Sequence, residues 1–308
     1  MNPICGALVL MTTLPDLFVD TTELEKRPLT AVDVDWRTLG IEQKYIIFIT
    51  GRCGSTWLSR ILADAKLFGR PDEFFNESFA EYFCRAQSIS TFRDYLRSVV
   101  TTFKGLRQFG FELDPLRYCA IARIADFGNV FCEPPSVSFW ITRADILSQA
   151  YSFAIAKKTG RWHILSESPS KSDTAREDIT DQALWVEILL ILEQEAYMVR
   201  EFKALRIEPI PITYEQIVAD KYAAITLIMS ALGIGPLEIT TFLHSMRDRT
   251  QQLSYGLKHD ALAGFQERNW NLFKPILTSR NSLDLDRIRA ELSDQFSMDI
   301  RPLNLLTK

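Results

Sequence analysis

The chain lacks most of what would mark a specialised class of protein. It has no Pro/Gly/Ser-rich linker, internal repeat or low-complexity tract among its 308 residues. Length alone suggests about two domains, but with no linker the chain reads as one main domain with appendages. It has no excess of positive charge: 35 Lys and Arg against 39 Asp and Glu give a net charge of −4. That argues against nucleic acid or an anionic membrane as the main partner, while leaving room for a local basic cleft. Its five cysteines, Cys5, Cys53, Cys84, Cys119 and Cys132, form no C-x-x-C pair. An odd count at irregular spacing fits a reducing compartment, so the expected location is the cytoplasm. No H-E-x-x-H, EF-hand loop or Cys/His cluster is present, and no metal site is expected.

Long apolar runs are also missing. Ile4 to Leu14 is apolar, but no Lys or Arg precedes it and it is too short to span a bilayer. It reads as a docking segment or a mobile end. Ala183 to Val199 is richer, yet it carries three glutamates and reads as a buried helix, so no membrane span is expected. What remains is an ordinary globular composition, 47% hydrophobic and 24% charged, with enough apolar residues for a large core.

Against that background one stretch stands out. Tyr45 to Thr50 is an apolar, β-branched run; Gly51-Arg52-Cys53-Gly54-Ser55-Thr56 is a polar turn; Trp57, Leu58, Ile61, Leu62 and Ala65 then repeat at helical spacing. Strand, glycine turn and helix together build an anion site. The turn gathers backbone N–H groups, and the helix N-terminus adds partial positive charge. Arg52 adds a full charge, and Ser55 and Thr56 add hydroxyls. A nucleotide-triphosphate loop would read G-x-x-x-x-G-K-[ST]. Here the first glycine position holds Ile49 and the lysine position holds Ser55. Cys53 has no evident base beside it and reads as a small residue whose backbone faces the ligand.

Further elements follow from the pattern. Helices are predicted over Thr91–Phe103, Asp145–Lys158 up to Gly160, Thr174–Leu205 with one break, Tyr222–Leu232 up to Gly233, and Leu283–Phe296. Strands are predicted at Phe109–Leu113 and Val137–Thr142, with an edge segment at Glu208–Tyr214, where Pro209 and Pro211 exclude a central position. Alternating strands and helices imply an α/β fold, a mostly parallel sheet flanked by helices. Ligands then bind beyond the carboxyl ends of the strands, where Gly51-Arg52 and Arg143 fall.

The basic residue, spacer and Gly-Ser-Thr-Trp of the turn resemble the 5′-phosphate loop of sulfotransferases. With Gly69-Arg70-Pro71-Asp72-Glu73-Phe74-Phe75, Phe109-Gly110-Phe111-Glu112-Leu113, and Ser138 to Phe153 followed by Thr159 and Trp162, the chain resembles the bacterial trehalose sulfotransferase family. The resemblance covers Tyr45 to Trp162 well and Leu184 to Ile217 weakly. It implies a P-loop nucleotide-kinase-like sulfotransferase fold, with a sulfotransferase domain at 41–270, an N-terminal extension at 1–40 and a packed C-terminal helical extension at 271–308. The implied donor is 3′-phosphoadenosine 5′-phosphosulfate, leaving adenosine 3′,5′-bisphosphate as product without a metal. The implied acceptor is a hydroxyl-bearing small molecule or glycan, and a homo-oligomer is compatible with it.

The resemblance also implies roles. Arg52, Cys53, Gly54, Ser55 and Thr56 would hold the 5′-phosphate, with Arg52 also stabilising the leaving group. Arg143 and Ser148 would hold the 3′-phosphate. Trp57 would pack on the adenine, or else serve as a core residue of its helix. Without the family, Arg143 reads as a partner of Asp145 and Ser148 as a solvent-facing helix position. Glu73 stands where the family carries its proposed general base; the other reading is a first-turn helix acid, which would lower its pKa. His163, His244 and His259 are alternative bases. The chain departs from the family at Glu112, where lysine is common, which bears on acceptor identity and on activity. The stretch Ser254 to His259 is a candidate loop over the nucleotide. A nucleotide or small-molecule kinase and a non-catalytic nucleotide binder are the alternative functions; a missing post-glycine lysine and the lack of a strand-end Asp for Mg²⁺ weigh against the kinase.

Overall fold

A computed structural model of the chain describes residues 14–18, 28–134, 136–160, 162, 179–246 and 256–296. At its centre are four parallel strands, β1 (Gln43–Ile49), β2 (Gln108–Leu113), β3 (Ser136–Thr142) and β4 (Ile210–Thr213), in the order β2-β1-β3-β4. Around them lie α1 (Ser55–Asp64), α2 (Glu77–Gln87), α3 (Phe92–Phe103), α4 (Pro115–Ala122), α5 (Ile146–Thr159), α6 (Asp181–Leu205), α7 (Tyr214–Ala219), α8 (Lys221–Ala231), α9 (Pro236–Ser245), α10 (Gly256–Arg268), α11 (Trp270–Ser279) and α12 (Leu285–Phe296). The expected α/β architecture with a parallel sheet flanked by helices is what the chain forms.

The apolar run of β1 is explained by burial on both faces, as parallel sheets require. Alternate residues point to opposite sides. Ile46 and Phe48 join Phe109, Phe111, Phe74 and Phe75 in one core, while Tyr45, Ile47 and Ile49 join Leu58, Leu62, Phe139 and Ile141 in another. Gly110 pairs with Tyr45 in the β1–β2 register. A Cβ at Gly110 would meet the Tyr45 ring at 2.0 Å, so the tyrosine ring occupies the space a side chain would need. Its hydroxyl donates to the Phe68 carbonyl oxygen at 3.0 Å. A third core joins α5 and α6 to α10, α11 and α12 through Ile146, Leu147, Trp185, Phe265, Phe273 and Leu292.

The expected helices hold with small shifts. Thr91 caps α3 through the Asp94 N–H, Asp145 caps α5, and Gly160 ends α5 in the left-handed region at φ 68°. The long helix begins at Asp181, capped by Thr180, and runs to Leu205 without the expected break; the expected portion from 174 to 178 lies outside the described residues. Of the apolar segment Ile4 to Leu14, only Leu14 is described, fully buried at the start of a short 3-10 turn (Leu14–Phe18) in the first core. Among the described residues no helix is long and apolar enough to cross a membrane.

Candidate active site

The turn after β1 is built for close approach. Arg52 (φ 66°) and Gly54 (φ 94°) both take left-handed backbone conformations, which is unusual for the arginine. Gly54 is the N-cap of α1, and no side chain caps that helix or places an acid in its first turn. The Trp57 N–H donates to the Gly54 carbonyl oxygen at 3.2 Å, and the N–H groups ahead of it are placed for an external acceptor. A Cβ on Gly54 would come within 2.5 Å of the Tyr214 ring. Glycine is required here by conformation and by the tyrosine together.

Cys53 is buried and its N–H donates to the Thr50 carbonyl oxygen at 3.3 Å. Burial pushes its thiol up to about 12, which keeps it protonated at neutral pH and unsuited to attack. Arg52 donates from Nε to Ser152 Oγ at 3.0 Å and from Nη1 to the Trp162 carbonyl oxygen. The guanidinium is therefore laid along α5. Trp57 is half-buried against the second core.

Arg143 follows directly on β3. Its guanidinium lies 4.6 Å from the centre of the Tyr214 ring. Its Nε is buried without a hydrogen-bond partner, and the nearest carboxylate oxygen, from Glu215, is 4.0 Å away. The alternative reading, a pairing with Asp145, is not what forms; Asp145 Oδ1 accepts the Ser148 N–H at 2.9 Å as the cap of α5. Ser148 is buried, so it is not the solvent-facing position that its place in the helix suggested. Ser152, not singled out in the sequence, lies one turn further along the same face.

Four residues that sequence reasoning missed tie these parts together. Gln149 is fully buried, and its Nε2 donates to Thr50 Oγ1 at 2.9 Å and to the Gly51 carbonyl oxygen at 2.8 Å. Tyr214 touches both Gly54 and Arg143. Glu215 accepts the Ala144 and Asp145 N–H groups at 2.8 and 3.1 Å, fixing the turn that carries Arg143. Arg280 grips the same turn from behind. It donates to the Arg143 carbonyl oxygen at 2.6 Å and forks onto Glu195 at 2.8 and 2.6 Å.

Glu73 lies before α2, which starts at Glu77 with Asn76 as its cap. Glu73 is outside the helix, so a first-turn helix role is ruled out. Burial pushes its carboxyl up to about 7, reinforced by Asp114 and opposed by Arg117. Arg117 itself is committed to Asp114 at 3.1 Å and to Glu77 at 2.9 Å. The flanking Phe74 and Phe75 anchor the segment, with ring centres 5.9 Å from Phe109 and 5.0 Å from Phe111, respectively. The Glu112 N–H donates to the Asp72 carbonyl oxygen at 3.0 Å, so the segment docks on β2.

The histidines offer less. His244 is exposed, with Nδ1 2.9 Å from the Thr240 carbonyl oxygen of its own helix. His163 and the side chain of His259 lie outside the described residues. So do Ser254 and Tyr255, while Gly256 opens α10 and the rest of that expected loop is helix. Among the described residues no group of three or more His, Cys, Asp or Glu is placed to hold a metal ion.

A helix N-terminus behind a glycine turn, with an arginine just after the neighbouring strand, sits at the carboxyl ends of the strands of this parallel α/β sheet. The family model described as Stf0 sulphotransferase matches residues 44–110 and 102–255, and the chain belongs to that family, a family of transferases. Comparison with curated proteins finds no match. Among solved structures, a sulfotransferase domain from the curacin biosynthetic pathway is similar, with 15% sequence identity over 81% of this chain and 96% of that one and a TM-score of 0.35.

Proposed function

We propose that this sulfotransferase takes its sulfuryl group from 3′-phosphoadenosine 5′-phosphosulfate and delivers it to a hydroxyl of a carbohydrate or related small molecule. The turn from Arg52 to Thr56 holds the 5′-phosphate, and Arg143 with Ser148 holds the 3′-phosphate. The observation that carries this reading is the buried, unpartnered Nε of Arg143, joined through the Tyr214 ring to the N-terminus of α1. This supports two phosphate-receiving groups at the carboxyl ends of neighbouring strands, as a nucleotide with two separate phosphates needs.

In the transfer, the bond between sulfur and the bridging phosphate oxygen breaks and a bond to the acceptor oxygen forms. The electron pair of the broken bond leaves on the 5′-phosphate, where Arg52 and the first N–H groups of α1 offset the growing charge. The acceptor proton passes to Glu73. A carboxyl pushed up to about 7 is half-ionised near neutrality, close to the balance that a general base requires. No metal is assigned a part. In this reading Glu73 and the donor site belong to one sulfotransferase domain, and the scattered cysteines support a cytoplasmic location.

The test is calorimetry with adenosine 3′,5′-bisphosphate, 5′-AMP and ADP, followed by transfer of radiolabelled sulfate to a panel of sugars. The bisphosphate should bind much more tightly than the other two, and Arg143→Ala should erase that preference. Equal affinities for all three nucleotides in the unmodified protein would refute the donor assignment.

A further inference from the structure

The function proposed above leaves Glu112 without a task, although its place is unusual. It lies in β2, is 3% exposed, and sits beneath the start of α1. Ser59 donates to its Oε1, and the side chain of Ser55, the first residue of α1, lies close to the same carboxyl group. The titratable groups facing it are Tyr45 from β1, Cys53 from the phosphate turn, and Asp72 and Glu73 from the segment before α2. None of these is a cation. A carboxylate buried without a cationic partner is strongly disfavoured, so the neutral acid is the form this site supports. The carboxyl is accordingly pushed up to about 8, chiefly by burial and against the two hydroxyls.

The protonation state of Glu112 decides what Ser55 can do. A serine hydroxyl has one proton to give and two lone pairs to accept with. When Glu112 is neutral, its O–H can donate to Ser55 Oγ, which frees the serine proton for an anion at the N-terminus of α1. When Glu112 is ionised, it can only accept. It then draws the serine proton inward and sets a negative charge directly behind the turn.

We propose that Glu112 is a positioning residue of the phosphate site. As the neutral acid it turns the Ser55 hydroxyl toward the 5′-phosphate, and as the carboxylate it withdraws that donor and repels the ligand. The inference rests on the assignment of the Arg52–Thr56 turn as the 5′-phosphate site.

The experiment measures the affinity of the full chain for adenosine 3′,5′-bisphosphate by calorimetry at pH 7, 8 and 9 and constant ionic strength. The second ionisation of each ligand phosphate has its midpoint near pH ~6, so the ligand's charge changes little across this range. Glu112 loses its proton within the range, and the affinity should fall about tenfold between pH 7 and pH 9. In Glu112→Gln, which keeps an N–H donor and cannot ionise, the fall should vanish. In Glu73→Gln it should persist. A flat profile in the unmodified protein overturns the inference without recourse to any variant. A fall that survives Glu112→Gln, or that disappears in Glu73→Gln, overturns it equally. Binding that is tight but independent of pH refutes the role of Glu112 alone, whereas no binding at any pH refutes the donor assignment and this inference together.

Discussion

Gly54 and Tyr214 share one space: the ring of the tyrosine lies where a side chain on the glycine would go, 2.5 Å from its Cβ position. The left-handed backbone at Gly54, φ 94°, adds a second reason against any side chain there. Gly54→Ala should lower stability by roughly 1–2 kcal/mol through the backbone alone. It should also push Tyr214 from its place over Arg143 and weaken nucleotide binding. A melting curve and calorimetry with adenosine 3′,5′-bisphosphate check both. Unchanged affinity in the folded variant would show that Tyr214 has no part in the site.

Arg52 is assigned mainly to the transition state. Its guanidinium already has partners in Ser152 and the Trp162 carbonyl oxygen, so its shift toward a departing phosphate oxygen belongs to turnover more than to resting affinity. Arg52→Ala should lower the single-turnover rate more than it weakens binding of the desulfated nucleotide. A large affinity loss with an unchanged chemical step would reduce Arg52 to an anchor.

Arg280 holds the turn after β3, the proposed 3′-phosphate site, from outside the sheet. Its fork onto Glu195 is largely buried, with side-chain exposures of 18% and 10%. Removing one partner of a buried pair typically costs ~3–5 kcal/mol, because the other is left uncompensated. Arg280→Met should therefore destabilise the protein on that order. It should also erode the preference for adenosine 3′,5′-bisphosphate over 5′-AMP, since the Arg143 carbonyl loses its clamp. Rescue of stability but not of the preference by Arg280→Met with Glu195→Met would place the second effect in the turn itself.

The parts of this architecture that were legible are local ones. The strand–turn–helix from Tyr45 to Ala65 carries its own apolar alternation, glycine and helical spacing, so nothing distant is needed to read it. The helix starts near Thr91 and Asp145 and the stop at Gly160 were legible for the same reason. Asn76 before α2 and Asp114-Pro115 at the start of α4 carry comparable signals, a cap and a proline at the first helical position, that would have marked those helices. Gln149 and Arg280 could not be read this way. Their partners Gly51 and Arg143 lie 98 and 137 residues away, and no periodicity connects them. Glu73 was ambiguous because an acid after a proline fits a helix start as well as a buried site. The burial of Phe74 and Phe75 against β2, a contact distant in sequence, is what the local pattern did not show.

Glu73 gives the sharpest test of the mechanism. Acceptance of the acceptor's proton requires the carboxylate, and its carboxyl is pushed up to about 7. The rate should therefore rise with pH through about 7 and fall below it. Glu73→Gln keeps the shape and cannot take the proton; a positioned base contributes typically ~10²–10⁴-fold, so a loss of that order is expected, together with loss of the acid limb. Stability supplies an independent reading. The carboxyl is protonated more readily in the folded chain than at its ordinary value of 4.5, so the folded state binds the extra proton between about 4.5 and about 7. Stability from this group is thus fully present below the lower value and is lost as pH rises to the upper one. The glutamine variant lacks that dependence and should gain on the unmodified protein as pH rises through the window. Rate profiles and melting curves on both proteins from pH 4 to pH 8 check the two together. A variant with the predicted stability profile but a near-normal rate would leave Glu73 as a buried acid without a catalytic part, and the base would then be sought at His163 and His259.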